Sequence, residues 1–458
     1  MNIRRMTVAA IAAAATATVT AAVPQVTDVA MTQASIGRTV TISYTLADAP
    51  AVVTLEVLTN ANTGAAADDP GWTSIGGAAV CNAKGDVWRK VEAGSRTITW
   101  RPDLSWPDHI VPNGGARAKV TAWALDNTPD YMVVDVSAAA QPNTQKYYPA
   151  ADFLPGGILG NTAYRTSMLV MRKIMAKDVT WTMGSTSLEK DRWPNETTHQ
   201  VALTNNYYIG VFPVTQAQWA LIQTANPTPS YFNNLADRAM RPVEQVCYNE
   251  IRNAANDTAA NAAYYWPNDP NPGSFLGLLR TKTGIDFDLP SEAQWEFAAR
   301  AGNGDTKWGD GSSIMNNYAN DSNLNRLGRY AYNGGQVRAG TGWASPDQSC
   351  GATNGTAIVG SYAPNDWGLY DTAGNVWELC LDWSADDITA HGGKINIDPS
   401  TPANTLAGVT GQFRIKKGGC WGYGTNYARP AYRGSAWPDN RGRAISEGFR
   451  VLCYAGLQ

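Results

Sequence analysis

Asp371 and Glu378 flank a short stretch containing Gly374, and that arrangement points to ion chemistry. The two carboxylates supply hard oxygen ligands. A bend permitted by Gly374 turns the backbone carbonyls of Gly374 and Val376 inward. A hard cation such as calcium takes mixed oxygen sets of this kind, and its role here would be structural, tying a loop-rich region together. Thiol chemistry has less to build on. Cys81, Cys247, Cys350, Cys380, Cys420 and Cys453 lie far apart without a CxxC pair, which argues against zinc. An oxidising compartment would permit disulfides among them, in a connectivity that spacing leaves open. His109, His199 and His391 are scattered, and the chain has no GxSxG elbow, P-loop or HExxH. No residue is assigned a catalytic role.

A second kind of chemistry is legible between Cys420 and Glu447. Tyr423, Thr425, Asn426, Tyr427, Arg429, Tyr432, Trp437, Asp439, Asn440 and Arg441 crowd this stretch. Aromatic, Arg and Asn side chains on a rigid frame suit ligand recognition, since they offer contact area and versatile hydrogen bonding. The competing reading is that such side chains pack or brace the loop, as Trp421 and Arg433 would. It is expected to hold for roughly half of them.

These residues need a frame, and 458 residues are enough for two or three domains. Net charge is -3, from 36 basic and 39 acidic residues. No Lys/Arg-rich stripe stands out, so a nucleic-acid partner is not expected. The counts of Gly (43), Pro (25) and Trp (17) describe a loop-rich chain in which large rings fill space between irregular segments. Core packing is the favoured role of those tryptophans over exposed sugar-stacking platforms. At the start, Arg4 and Arg5, the small apolar run Met6 to Thr20 and the small residues Thr20-Ala21-Ala22 read as a signal peptide over 1–22. Export to the periplasm or the medium follows as an expectation. That run is too short and weak to span a bilayer, and no other candidate span follows it.

Residues 25–140 read as a small all-β sandwich of immunoglobulin or fibronectin type III kind. Thr39 to Leu46 alternates cleanly, Ala51 to Leu58 follows a Pro-containing turn, and Arg96–Trp100, Ala118–Trp123 and Tyr131–Val136 continue the pattern. Such a module acts as a spacer or contact surface. Residues 141–166 form a polar linker, and 167–458 a second domain. There, Thr215 with Gln218 and Ser291 with Gln294 form capping boxes that open two helices. Trp295, Ala298 and Ala299 share a packing face on the second. Its Glu and Arg residues are expected on a solvated face or in structural ion pairs. The Asn/Ala-rich insertion from Asn253 to Tyr265 shows no evident chemistry.

Val359 to Trp383, with Gly-Asn-Val-Trp-Glu at its centre, is one anchor block; Lys417-Gly-Gly-Cys-Trp421 and Gly448-Phe-Arg-Val451 are the other. Together with Asp288 to Arg300 they resemble the formylglycine-generating enzyme (sulfatase-modifying factor) family, a branch of the C-type-lectin-like folds, over roughly 170–453. The resemblance implies an α+β domain. It also implies calcium at Asp371, Gly374, Val376 and Glu378, with Asn320 as part of a second site. In the family's oxidases two cysteines beyond a Gly-Gly-Ser motif hold copper, whose oxygen chemistry converts a sulfatase cysteine to formylglycine. Here those positions fall at Tyr423 and Ala428, and Cys420 replaces the Ser, so copper is not expected. A related branch uses non-haem iron held by clustered histidines, which this chain lacks. The leading expectation is therefore a non-oxidase module that binds a ligand (glycan, peptide or protein) through 420–447. A formylglycine-generating oxidase is the alternative. A second alternative is a variable protein of a diversity-generating retroelement, since those randomise the same region between constant anchors.

Overall fold

The computed structural model describes residues 23–34, 37–189, 192–253, 268–315, 320–334, 355–384, 396–397 (backbone only) and 413–456. The expected signal peptide, Cys350, His391 and the insertion beyond Asn253 lie outside the described residues.

The N-terminal region is all β. Val40–Ala47 buries Val40, Ile42, Tyr44 and Leu46 on one face. It pairs antiparallel with Gln25–Gln33 and Gly94–Trp100. A second sheet is built on Ala51–Thr59, which pairs with Ala116–Trp123, Arg89–Val91 and Thr73–Ser74. Val53, Leu55 and Val57 fill the core shared with the first sheet, whereas Val52 belongs to the core of the second domain. Ala51–Val53 is apolar on both faces, whereas further along Glu56 turns outward to pair with Lys119.

One strand departs from the sequence reading. Tyr131–Asp135, expected to continue the sandwich, pairs instead with Met168–Ile174 and Lys146–Tyr148. With Tyr207–Gly210 and Leu452–Tyr454 these form a five-stranded antiparallel sheet. Tyr131 and Val133 face one core, Met132 and Val134 the other. A run that is apolar on both faces carries no signal for which sheet it joins. The stretch after it is likewise no free tether: Tyr147, Tyr148, Phe153, Leu154 and Tyr164 are buried.

Both capping boxes form. Thr215 Oγ accepts the Gln218 N–H and the Gln218 side chain accepts the Thr215 N–H, opening the helix Gln216–Ile222. Ser291 and Gln294 do the same for Glu292–Arg300. Such caps contribute about 1 kcal/mol each. The charged residues of Glu292–Arg300 form ion pairs, and those pairs are buried. Lys417 lies 3.4 Å from Glu292 and 3.0 Å from Glu296. Arg433 clasps Glu292 at 2.7 and 3.0 Å, and Arg300 meets Glu296 at 2.8 Å. Lys417 ends Arg414–Lys417, a strand in a small sheet with Gly434–Ala436, Trp377–Trp383 and Glu447–Gly448. Both anchor blocks meet in that sheet. Among the described residues no helix is long and apolar enough to cross a membrane.

Burial alone would raise the Glu296 carboxyl, but Lys417 and Arg300 outweigh it and bring it down to about 2. A carboxyl lowered in the folded state contributes stability that is complete above about pH 4 and lost as pH falls toward about 2. Removing one partner of a buried pair leaves a charge uncompensated, at a cost of about 3–5 kcal/mol. Glu296→Gln should therefore lose stability of that order in urea unfolding near neutral pH. Its own stability should fall less steeply than the parent's below about pH 4; parallel acid profiles would refute the assignment.

Candidate ligand-binding surface

Trp377 opens the strand Trp377–Trp383, and its backbone N–H donates to the Ser446 carbonyl at 2.7 Å. This pairing sets the first anchor block beside the second. Three tyrosines of the 420–447 stretch then gather around the buried Trp377 ring: Tyr423 at 6.0 Å, Tyr427 at 6.3 Å and Tyr432 at 5.6 Å between centroids. Tyr427 lies 5.0 Å from both Tyr423 and Tyr432. Most of these rings meet edge to face, a geometry worth roughly 0.5–1.5 kcal/mol per pair beyond area burial. Trp193 meets Tyr432 nearly at right angles at 6.1 Å. The Lys416 ammonium sits 4.9 Å over Trp377 while pairing with Glu447 at 2.5 Å. The cluster has a solvent-facing edge, since Tyr423 is 43% and Trp193 45% exposed.

Buried charge holds this irregular segment in place. Arg429 donates to Glu196 at 2.8 and 2.9 Å and also to Glu189, all three fully or nearly buried. Gly419 has φ +72°, and a Cβ there would lie 2.8 Å from the Ala428 backbone, so the turn requires glycine. Of the ten residues singled out from sequence, Thr425, Asn426 and Arg429 are buried and form the frame. Tyr423 is exposed, with Tyr427 and Tyr432 half-buried beside it. Trp437, Asp439, Asn440 and Arg441 form a separate patch. In it the Arg441 guanidinium stacks 3.7 Å over the Trp437 ring and bonds Asp439 at 2.7 Å. Trp377, Trp193 and Lys416 were not anticipated as site residues. Trp193 and Trp377 come from distant stretches, and the pairing of Trp377–Trp383 with Arg414–Lys417 and Glu447–Gly448 brings Trp377 to the tyrosines.

At the positions where the resemblance places copper thiolates, Tyr423 contributes a ring to the cluster and Ala428 is buried against Gly419. The five described cysteines are free thiols, four of them buried. Burial pushes Cys420 and Cys247 up to about 12, so neither is a thiolate near neutral pH. This donor set does not fit Cu(I), which needs paired thiolates.

The Asp371–Glu378 turn is tight, with positive φ at Asp371, Gly374 and Asn375. A Cβ on Gly374 would lie 2.2 Å from the Arg329 carbonyl oxygen, so this position also requires glycine. Asp371 accepts from the Gly360 N–H at 2.8 Å and from Asn375 Nδ2 at 3.3 Å. Burial pushes its carboxyl up to about 6 against these bonds and the pull of Arg450. Glu378 accepts from Arg450 on both oxygens and from Trp295 Nε1, each at 2.5 Å. Two buried carboxylates thus face one guanidinium, and the charge left over on Asp371 suits a hard cation. Asp371 and the carbonyls of Gly374 and Val376 would hold it, with Glu378 shared with Arg450. Asn320 stands apart from this turn: its carboxamide oxygen accepts from Asn325 Nδ2 at 2.8 Å and from the Tyr330 hydroxyl at 3.0 Å.

The family model described as sulfatase-modifying factor enzyme 1-like domain matches residues 165–455. The chain is 29% identical over 260 residues to Chaperone protein LppX of Paenibacillus barcinonensis, covering 54% of this chain and 80% of that protein. It is 38% identical over 166 residues to the formylglycine-generating enzyme of Thermomonospora curvata, covering 35% of this chain and 48% of the enzyme. The chain thus spans about half the length of that enzyme. Among solved structures, Treponema denticola variable protein 1 aligns with a TM-score of 0.44 at 24% identity, over 62% of this chain and 95% of that one.

Frame and contact residues should separate in mutants. Arg429→Ala strands two buried carboxylates and is expected to cost about 3–5 kcal/mol in denaturant unfolding. Tyr423→Ala removes a half-exposed ring and should stay within about 1 kcal/mol of the parent. The reverse order of costs would overturn the division.

Proposed function

The chain belongs to the sulfatase-modifying factor enzyme 1-like family, and on that premise we propose that it is an exported binding module whose 420–447 surface recognises a peptide or protein, with no cysteine-oxidising activity. The observation that carries the reading is the exchange at the centre of the surface. Tyr423 and Ala428 stand where copper thiolates would be needed, and Tyr423 is the exposed member of a ring cluster on a buried ionic frame. Tyr, Trp and Arg supply most hot spots of protein interfaces, and a frame fixed before binding lowers the ordering cost. Export rests on the residues of the 1–22 segment alone. Calcium, in this reading, neutralises Asp371 and clamps the turn that leads into Trp377.

Two measurements test the main claim. Reduced protein titrated with Cu(I) and assayed on a Cys-x-Pro-x-Arg peptide should show neither tight one-to-one binding nor aldehyde formation; observing both would establish the oxidase instead. Peptides enriched by display on the immobilised chain should bind about tenfold more weakly, or about 1.4 kcal/mol, to Tyr423→Ala or Arg441→Ala. Enrichment indifferent to both substitutions would remove the surface from consideration.

The calcium clamp has its own test. A chelator should lower the melting temperature, added calcium should restore it, and Asp371→Asn should abolish the response. A parent protein whose melting is unaffected by either treatment would rule the clamp out.

A further inference from the structure

Away from the aromatic surface, a cavity of about 340 Å³ lies among the helices Gln216–Ile222, Tyr248–Ile251 and Phe275–Thr283. Trp219, Gln223, Asn226, Asn249, Asn253 and Ser274 line it. Among the described residues its one charged wall group, Glu250, is neutralised by Arg443 at 2.5 and 2.8 Å, so this wall is amide-rich and without net charge. Several wall groups are already satisfied. Trp219 Nε1 donates to the Asn226 carbonyl at 2.8 Å, Gln223 Nε2 to the Gly273 carbonyl at 3.2 Å, and the Ser274 hydroxyl to the Asn271 carbonyl at 2.7 Å.

Two wall atoms are not satisfied. Asn249 lies in the short helix Tyr248–Ile251 and Asn253 just beyond its end, close enough for their side chains to meet. Asn253 Nδ2 donates to Asn249 Oδ1 at 3.2 Å, which leaves Asn249 Nδ2 and Asn253 Oδ1 buried with no hydrogen-bond partner. Both residues are 1% exposed. Folded proteins leave few such atoms, and each calls for an explanation. Turning both amides over exchanges their roles but still leaves one donor and one acceptor unmet.

We propose that this cavity is a binding site for one pyranose ring of a neutral sugar, with adjacent hydroxyls meeting Asn249 and Asn253. A hydroxyl both donates and accepts, so neighbouring hydroxyls satisfy a paired donor and acceptor. A charged ligand would find no unpaired opposite charge among the described wall residues to offset its desolvation, and an apolar one would leave both amides unmet. The volume falls at the lower end of small-molecule pockets, a size for one ring and not a chain of them. The wall residues of this site differ from those of the aromatic surface around Tyr423, although Arg443 and the Pro438 carbonyl brace the helix Tyr248–Ile251.

Saturation-transfer NMR on the full-length chain, with glucose, galactose, mannose and N-acetylglucosamine offered singly, tests the proposal. At least one sugar should show transfer, and Asn249→Ala and Asn253→Ala should each weaken it about tenfold. Gln223→Ala, at the half-buried rim, should weaken it less while keeping the parent's melting temperature, and it decides the matter if the asparagine variants fail to fold. Tyr423→Ala should leave binding unchanged. Comparing the best monosaccharide with a glycan that ends in it distinguishes a free sugar from a glycan terminus as the source. No transfer from any sugar, transfer that survives all three wall substitutions, or a sugar-soaked crystal with only water between Asn249 and Asn253 would each overturn it.

Discussion

Lys417, fully buried between Glu292 and Glu296, is the contact on which the second domain turns. It sits at the end of a strand, the glutamates lie one helical turn apart, and Arg433 from the 420–447 stretch shares one of them. Buried ion pairs repay their desolvation only when every partner is placed well, so they add little net stability and constrain geometry strongly. Helix, strand and loop are therefore set against one another by a requirement that tolerates little displacement. Asp382 adds to this centre by accepting the Glu292 N–H at 2.6 Å, and burial together with Glu292 pushes its carboxyl up to about 6.

The same device recurs wherever the backbone is irregular. Arg450 reaches the carbonyls of Gly210 and Tyr370 while clasping Glu378, and Arg300 reaches the Gly184 carbonyl while clasping Glu296. A loop-rich chain has many buried carbonyls outside helices and sheets, and each needs a donor. Guanidinium groups, with five N–H donors in a fixed fork, serve several at once. This explains how a segment with little regular structure holds a group of tyrosines at fixed positions around Trp377.

Fold and chemistry are separable on this frame. The Gly-Gly turn, the Gly-Phe-Arg strand and the Gly-Asn-Val-Trp-Glu turn all do packing work: Gly419 against Ala428, Arg450 on Glu378, Gly374 against Arg329. These contacts use the backbone of position 428 and no side chain of 423 or 428. A ring and a methyl group stand there without disturbing the frame.

Much of this was legible in the sequence wherever the cause is local. The two capping boxes, the alternation of Val40–Ala47 and the glycine-dependent bend after Asp371 follow from residues within a few positions of each other. The absence of a thiol pair after Gly419 is likewise readable directly, because the anchors set the register. What depends on distant partners was not. Tyr131–Asp135 is apolar on both faces, so only the pairing with Met168–Ile174 decides its sheet. Glu292 and Glu296 look like surface residues until Lys417 and Arg433 arrive from far along the chain. Asn249 and Asn253 are four positions apart in sequence, yet their unmet amide groups exist only because the surrounding chain closes over them. The sequence alone determined the family frame and the loss of the copper ligands, since both rest on residue identity in a short register. Tertiary structure alone decided which side chains are frame and which face solvent, because burial and charge pairing belong to the packed chain as a whole.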